Sequence, residues 1–130
     1  MCSLALLVSS CGADHYMKKG EKSLAVGEYF DAAEYFKVAY NKTPSKERAK
    51  RGQRAAQLAS CYDRINSNAK AIAAYRNVIR YKQDSIDTHL KLARLLMKAA
   101  SYKEAAKEYQ LVLDTLPGNE LAKTGLLAAQ

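Results

Sequence analysis

The sequence has no tryptophan, only two prolines and six glycines in 130 residues. With so few helix breakers, helices can run over long stretches without interruption. Runs of Val, Ile and Thr that alternate with polar residues are also lacking, which argues against a sheet. The length suits one ordinary domain. The sequence therefore predicts an all-α protein.

Groups that carry catalysis or bind metals are scarce as well. His15 and His89 lie far apart in the sequence, and neither a Cys-x-x-Cys motif nor a glycine-rich phosphate loop occurs. The acidic residues are scattered along expected helix surfaces instead of being paired around a cleft. Three cysteines do not make a disulfide framework, and Cys61 is expected to be a small buried hydrophobic residue. We therefore expect no enzyme, no catalytic residue, no metal and no cofactor.

Acidic residues are outnumbered, since 13 Asp and Glu face 21 Lys and Arg, for a net charge of +8. This excess makes an acidic partner or surface plausible. A short segment near the middle of the chain is especially basic. The simpler interpretation of this segment is a solvated helix face beside a loop, and the alternative is a dedicated binding patch. Its basic residues are Lys42, Lys46, Arg48, Lys50, Arg51 and Arg54.

The first eleven residues, MCSLALLVSSC, are mostly apolar but too few to span a bilayer as a helix. Val8-Ser9-Ser10-Cys11 resembles a bacterial lipobox, in which an aliphatic and two small residues precede a cysteine. The resemblance implies a signal segment over residues 1–11, cleavage before Cys11 and lipid on its sulfur. The basic segment with which a secretory signal usually begins is missing, which indicates that the sequence is truncated or that the start codon lies upstream. A disordered apolar leader with a chance cysteine remains the alternative.

An alanine recurs through the chain with the same neighbours. Ala71 and Ala105 are 34 residues apart, whereas Ala32 and Ala71 are 39 apart because five residues are inserted between them. An aromatic residue lies four positions after each alanine, and a small residue lies twelve positions before it. Pro44 and Pro117 close the first and third units. The recurring companions are Gly20, Ala59 and Ala93 before the alanines, Phe36, Tyr75 and Tyr109 four residues after them, and Ala39, Val78 and Val112 three residues further on.

This pattern resembles the tetratricopeptide repeat (TPR) family, over roughly Ala13 to Gln130. The resemblance implies a TPR solenoid of three antiparallel helix pairs plus a C-terminal seventh helix. The domain would cover residues 13–130, with units at about 13–46, 52–85 and 86–119 and a partial fourth at 120–130. We predict helices near 14–26, 28–41, 46–65, 68–81, 86–98, 101–115 and 119–130. Because the last stretch ends LLAAQ, we expect the native chain to continue.

The five-residue insertion falls in the stretch SKERAKRG and is predicted to lengthen the third helix at its N-terminal end, with Ser45 as a cap. The basic residues would then lie on a projecting stub. The repeat also assigns Tyr29, Tyr75, Tyr102 and Tyr109 to the core, so no stacking platform for nucleic acid is left. We therefore expect no nucleic-acid partner.

In the TPR family, which this sequence resembles, the first helix of each pair lines a concave groove that binds extended peptides or partner helices. Chaperone receptors of this family hold a terminal carboxylate with a Lys and an Asn, but Met17 and Glu21 stand at those places. An acidic residue would repel the carboxylate, so that role is rejected. The groove positions implied are Asp14, Met17, Glu21 and Leu24 in the first unit, Gln53, Gln57, Ser60 and Arg64 in the second, and Asp87, Lys91, Arg94 and Lys98 in the third.

The cations Lys91, Arg94 and Lys98 share one helix face, where Arg64 of the preceding unit could join them, and would favour an acidic peptide. The alternative is that they are solvated surface charges. Together the lipobox and the repeat resemble multidomain TPR lipoproteins of Bacteroidetes, in which a β-propeller and a peptidoglycan-binding domain follow. That resemblance implies a docking scaffold of a secretion system, anchored on the periplasmic side of the outer membrane. Peptidoglycan would bind only to domains outside these 130 residues. The alternative is an assembly or transport factor for peptides of outer-membrane substrates.

Overall fold

The structure, a computed structural model, describes residues 2–130, and their side chains from Gly12 onward. Within that range seven helices are joined by short turns, and no strand occurs. The predicted fold class, all-α with three helix pairs and a seventh helix, is confirmed. The helices are α1 (Cys2–Ala25), α2 (Tyr29–Lys42), α3 (Arg48–Arg64), α4 (Asn68–Arg80), α5 (Ile86–Lys98), α6 (Tyr102–Thr115) and α7 (Glu120–Ala129).

The first helix is longer than predicted. It was expected to begin near residue 14 but begins at Cys2, whereas α2 to α7 agree with the prediction to within two residues at each end. Residues 2–11 include three leucines and no proline, and a single Gly12 does not end a helix. Among the described residues, no helix combines the length and the apolar character that crossing a membrane requires.

The chain divides into two compact units, unit 1 up to Gln83 and unit 2 over Asp84–Gln130. In unit 1, α1 packs on α2, α2 on α3 and α3 on α4. In unit 2, α5 packs on α6, and α7 packs on both of them. The helix pairs expected from the repeat are therefore α1–α2, α3–α4 and α5–α6.

The recurring small and aromatic residues form the core of the pairs, as predicted. Gly20 shows why the small positions matter, because a Cβ atom there would lie 2.5 Å from the ring of Phe36, whose side chain is fully buried. Even an alanine would force this core ring to move. The buried recurring residues are Ala32, Ala71 and Ala105 with Phe36, Tyr75 and Tyr109.

Two details of the predicted repeat are wrong. Tyr29 and Tyr102 are not core residues: each is the first residue of its helix, Tyr29 is partly exposed and Tyr102 is 50% exposed. Ser45 does not cap α3, which begins at Arg48 with Glu47 at its cap position. Ser45 lies in a turn closed by the Glu47 N–H, which donates to the Pro44 carbonyl over 3.0 Å. This turn delays the start of the helix.

The three turns inside the helix pairs are built alike. Each contains one residue in the left-handed region, with φ of 77° at Gly27, 59° at Asn66 and 58° at Ala100. The next residue donates its N–H over 2.9 Å to the carbonyl five residues earlier, which satisfies the end of the first helix. Only glycine adopts this conformation without steric cost, so Ala100 carries about 1 kcal/mol of strain. These hydrogen bonds join Glu28 to Ser23, Ser67 to Tyr62 and Ser101 to Leu96.

Candidate functional site

A groove of about 680 Å³ in unit 1 opens between α1 and α3, the first helices of its two pairs. Each of these helices contributes four side chains at the spacing i, i+3, i+4 and i+7, which aligns them along one face. The groove is lined from α1 by Asp14, Met17, Lys18 and Glu21, from α3 by Lys50, Gln53, Arg54, Ala56 and Gln57, and by Gln83.

Amide side chains distinguish this groove. Gln53, Gln57 and Gln83 reach it, beside charged residues of both signs. An amide both donates and accepts hydrogen bonds, so it can pair with either half of a peptide group. The groove therefore offers hydrogen bonds to the main chain of an extended segment, with no strong preference for one charge.

Arg54 stands at the edge of this groove but is occupied by the fold. Its side chain is 11% exposed, and its Nη2 lies 2.6 Å from Asp14 Oδ1 of α1. Its Nη1 donates over 2.6 Å to Thr43 Oγ1, whose hydroxyl donates in turn over 2.7 Å to the Ala39 carbonyl. Arg54 therefore connects α3 to α1 and to the C-terminal end of α2.

Arg51 is held between two tyrosine rings. Its guanidinium carbon lies 4.2 Å from the ring centre of Tyr40 and 5.3 Å from that of Tyr81. Its Nε donates over 3.0 Å to the Tyr81 hydroxyl, and its Nη1 over 2.7 Å to the Thr43 carbonyl. One turn earlier, Arg48 Nη2 donates over 3.0 Å to the Arg80 carbonyl near the end of α4. These arginines tie the start of α3 to α2 and α4.

Arg51 and Arg54 are thus part of the packed fold, and for these two residues the solvated face and the projecting stub are both wrong. Arg48 stays exposed while it donates to the Arg80 carbonyl. Planar guanidinium groups satisfy carbonyls at helix ends and stack on tyrosines, which isolated surface cations do not. The lysines of the segment, Lys42, Lys46 and Lys50, do remain exposed.

Unit 2 contains a smaller cavity of about 210 Å³. Lys91 lies at its rim with Nζ 2.8 Å from Asp87 Oδ2, in a pair that is well exposed to solvent. Burial raises the pKa of Tyr109, and the positive charge of Arg94 opposes the rise, so this cation is close to the tyrosine. The cavity combines cations with apolar surface. It is lined by Asp87, Leu90, Lys91, Arg94, Tyr109 and Leu121.

Gly125 brings α7 close enough to complete this cavity. A Cβ atom at Gly125 would overlap the ring of Tyr109, so any larger residue would push α7 away from α6. The start of α7 is capped by Asn119, whose side chain accepts from the Ala122 N–H over 2.9 Å. The capped helix places Leu121, which is 71% exposed, at the cavity.

The predicted concave-face residues are divided between these two places. Gln53 and Gln57 line the groove of unit 1. Asp87, Lys91 and Arg94 line the cavity of unit 2. The spacing within each first helix was enough to group them, because residues three and four apart share a face.

Four predicted residues lie outside both cavities. Ser60 and Lys98 are exposed. Arg64 is directed to Tyr29 of its own unit, with Nη1 donating over 3.2 Å to the hydroxyl and the guanidinium 5.0 Å from the ring centre. Leu24, assigned to the groove in the first unit, is 37% exposed and is likewise absent from its lining.

His89 has a structural role that the sequence did not indicate. Its Nδ1 lies 2.6 Å from Glu108 Oε2 of α6, and its Nε2 lies 2.7 Å from Asp84 Oδ2. Burial would lower the pKa of His89, but the hydrogen bonds and negative charges of the two carboxylates outweigh burial and raise it above 6.5. Spacing along the chain could not predict this pairing, because Glu108 belongs to another helix.

Cys61 is buried, as predicted, and burial raises the pKa of its thiol. Such a thiol is a poor nucleophile near neutral pH. In the part of the chain that the structure describes, no three His, Cys, Asp or Glu side chains are grouped to hold a metal ion. The side chain of Cys11, the predicted lipidation site, lies outside the described residues.

Comparison with known proteins supports a repeat fold. Residues 66–129 match the family model of the tetratricopeptide repeat. No curated protein sequence gave a significant match. Among solved structures, the first TPR domain of Spaghetti (RPAP3), bound to the HSP90 peptide SRMEEVD, is 21% identical with a TM-score of 0.71, over 92% of this chain and 91% of that one.

Two further structures are similar. The second TPR domain of human RPAP3, in complex with the HSP70 peptide SGPTIEEVD, is 17% identical with a TM-score of 0.70, over 94% of this chain and 95% of that one. MamA from Desulfovibrio magneticus RS-1 is 17% identical with a TM-score of 0.74, over 91% of this chain and 64% of that one. The chain therefore has the all-α fold of a TPR domain, a fold that is typically a non-catalytic interaction scaffold.

Proposed function

We propose that this chain is a non-catalytic protein-docking module whose unit 2 cavity binds an acidic segment of a partner protein. The observation that carries the proposal is the position of Lys91 and Arg94 beside an apolar floor. A carboxylate of the partner would meet the two cations, and an adjacent apolar side chain would contact Leu90 and Tyr109. Charge then supplies selectivity, and burial of the apolar side chain supplies affinity.

The peptides bound by the similar structures have this chemistry. Both SRMEEVD and SGPTIEEVD contain two adjacent glutamates preceded by an apolar residue. The chain lacks the terminal-carboxylate site of the chaperone receptors, because Met17 and Glu21 stand where those receptors have a Lys and an Asn. The segment proposed is therefore an internal acidic one, without need of a free C-terminus.

The ion pair of Lys91 with Asp87 does not oppose such a partner. Lys91 is 41% and Asp87 68% exposed, and exposed pairs contribute little because water competes for both groups. A partner carboxylate can therefore replace Asp87 at small cost. Contacts of this kind chiefly speed association and weaken as salt is added.

The test uses a fluorescent SRMEEVD peptide with an amidated C-terminus and measures binding by anisotropy. Lys91→Glu with Arg94→Glu should weaken binding at least about 10-fold, because two attractive charges become repulsive. The matched control, Lys103→Glu with Lys107→Glu, changes the same charge at two exposed residues of α6 and should bind like the wild type. Equal binding by the two double variants, or no binding by the wild type, would refute the proposal.

A second candidate function is an assembly or transport factor that recognises varied peptides of outer-membrane substrates. It is favoured by the three amides of the larger groove, which suit the main chain of many sequences. Gln53→Ala with Gln57→Ala would then weaken binding of an unbiased peptide library, which Lys91→Glu with Arg94→Glu would leave unchanged. The opposite pattern favours the docking module.

The proposal further places the module in a bacterial envelope, lipid-anchored through Cys11 on the periplasmic side of the outer membrane. Its support is the lipobox-like Val8-Ser9-Ser10-Cys11 together with the repeat fold. The combination resembles the N-terminal module of the type IX secretion lipoprotein PorE, in which peptidoglycan is bound by a later domain. Labelled fatty acid should enter the full-length precursor but not its Cys11→Ala variant, and equal incorporation would contradict the anchor. A peptidoglycan-binding domain in the full-length chain would favour the secretion scaffold.

A further inference from the structure

We infer that the side of the α1–α2 pair that faces away from the groove binds an anionic membrane surface. Four residues form this surface, called the tyrosine–lysine patch: Tyr16 and Lys19 of α1, and Tyr35 and Lys42 of α2. The inference rests on the proposed envelope setting for the presence of a membrane. It requires neither the lipid on Cys11 nor the acidic-segment cavity.

Cations and rings alternate across the patch. Lys19 Nζ lies 5.9 Å from the ring centre of Tyr16 and 5.6 Å from that of Tyr35. Lys42 Nζ lies 6.0 Å from the Tyr16 ring, and the two rings are 6.5 Å apart. Attraction to the ring faces holds both ammonium groups on one surface. The patch therefore presents two ordered positive charges on a partly exposed aromatic base.

The charges of α1 are sorted between its two sides. Its described acidic residues, Asp14 and Glu21, line the groove, and Asp14 is paired with Arg54. Tyr16 and Lys19 are each two residues from one of these acids, which turns them by roughly 200° around the helix. Both described acids of α1 therefore lie on the side opposite the patch. On α2, the exposed Asp31 stands one turn before Tyr35, so the two patch lysines outnumber one neighbouring acid.

The chemistry of the patch suits lipid headgroups. Tyrosine places an apolar ring and a polar hydroxyl at the level of the headgroups, and lysines are attracted to anionic phosphates. Tyr16 follows Cys11 by five residues in the same helix, a rise of roughly 7.5 Å. Lipid attached to Cys11 would thus bring the patch to the bilayer.

The experiment uses the purified full chain with Cys11→Ser, so that no lipid anchor contributes. Binding is measured by co-sedimentation with vesicles of phosphatidylcholine and phosphatidylglycerol mixed three to one, and with vesicles of phosphatidylcholine alone. We expect binding to the anionic vesicles only, and loss of that binding as salt rises toward about 0.5 M, where charges are screened. Equal binding to both vesicles, or none, would overturn the inference.

Because the whole chain is basic, a matched charge control decides the result. Lys19→Glu with Lys42→Glu should reduce vesicle binding at least about 10-fold, since each lysine near such a surface contributes about 5-fold. Lys37→Glu with Lys70→Glu changes the same charge elsewhere in unit 1 and should reduce it less than about 3-fold. Equal losses would mean that net charge alone acts, which refutes the patch. Should the first variant melt early, Lys19→Gln with Lys42→Gln makes the same test with a smaller expected loss.

Discussion

The start of α3 and the face of α5 are both rich in cations, yet their side chains are used differently. In α3, Arg51 and Arg54 are hydrogen-bonded to carbonyls, hydroxyls and a carboxylate of the surrounding helices. In α5, Lys91 is well exposed beside a cavity, and its partner Asp87 lies on the same helix. The α3 arginines hold unit 1 together, whereas Lys91 pairs within its own helix at the cavity that we propose binds an acidic segment.

A cluster of basic residues is therefore not by itself a binding surface. Arginine suits the structural role because its planar group donates several hydrogen bonds and stacks on rings at once. Lysine has a single, strongly hydrated charge, which suits a site that must exchange partners. The α3 segment uses three arginines for its internal contacts, and its lysines stay in solvent.

The largest effect is expected at Arg54. Arg54→Ala should lower the free energy of unfolding by about 2–3 kcal/mol, because a buried guanidinium and two short hydrogen bonds are lost. Chemical denaturation followed by circular dichroism measures the change. The control, Lys50→Ala, removes an exposed lysine one turn away and should change stability by less than about 0.5 kcal/mol. Similar losses of unfolding free energy in both variants would contradict the distinction between structural arginines and exposed lysines in α3.

His89 provides the corresponding structural charge of unit 2. Its pKa is raised in the folded chain, so its contribution to stability is complete below about pH 6.5 and decreases as the pH rises through the folded pKa. His89→Gln should cost about 1–2 kcal/mol at pH 6, since charge-assisted hydrogen bonds to Asp84 and Glu108 are lost. Between pH 6 and pH 9 the melting temperature of the wild type should fall as the pH rises, and that of the variant should fall less. The same decrease in both proteins would show that another group causes the pH dependence.

Arg51→Lys tests whether the positive charge at this position is sufficient or whether the planar guanidinium group is needed. The charge is kept, but stacking between Tyr40 and Tyr81 and the donation to the Thr43 carbonyl are lost, so stability should fall by about 1 kcal/mol. Denaturant midpoints compared with those of the wild type measure this loss. An unchanged midpoint would mean that positive charge alone suffices at this position.

The smallest effect is expected in α5. Lys91→Ala and Lys98→Ala should each change stability by less than about 0.5 kcal/mol, because both side chains are exposed and the Lys91 pair is solvated. Thermal melts check this directly. A loss above about 1 kcal/mol at either residue would assign the α5 cations to the fold, as in α3.

Much of the fold could be predicted from the alanine and aromatic spacing, since Ala71 and Tyr75 are buried where the repeat places them. The groove faces followed from helical spacing as well, as Gln53 with Gln57 and Lys91 with Arg94 show. The exposed Tyr102 could not be predicted in this way, because its position in the repeat says nothing about what covers it. The prediction that Ser45 caps α3 was wrong because a turn at Pro44–Glu47 moves the start of the helix to Arg48.

The amino-acid sequence alone determined where α2 to α7 lie and most of the faces that they bury, because periodicity and the size of core residues act within one helix or one pair. It did not determine how the charges are used. Arg54 and Asp14 are 40 residues apart in the chain, and His89 and Glu108 are 19 apart. Such pairs form because the folded helices bring distant side chains within hydrogen-bonding distance, and spacing along the chain does not encode that approach.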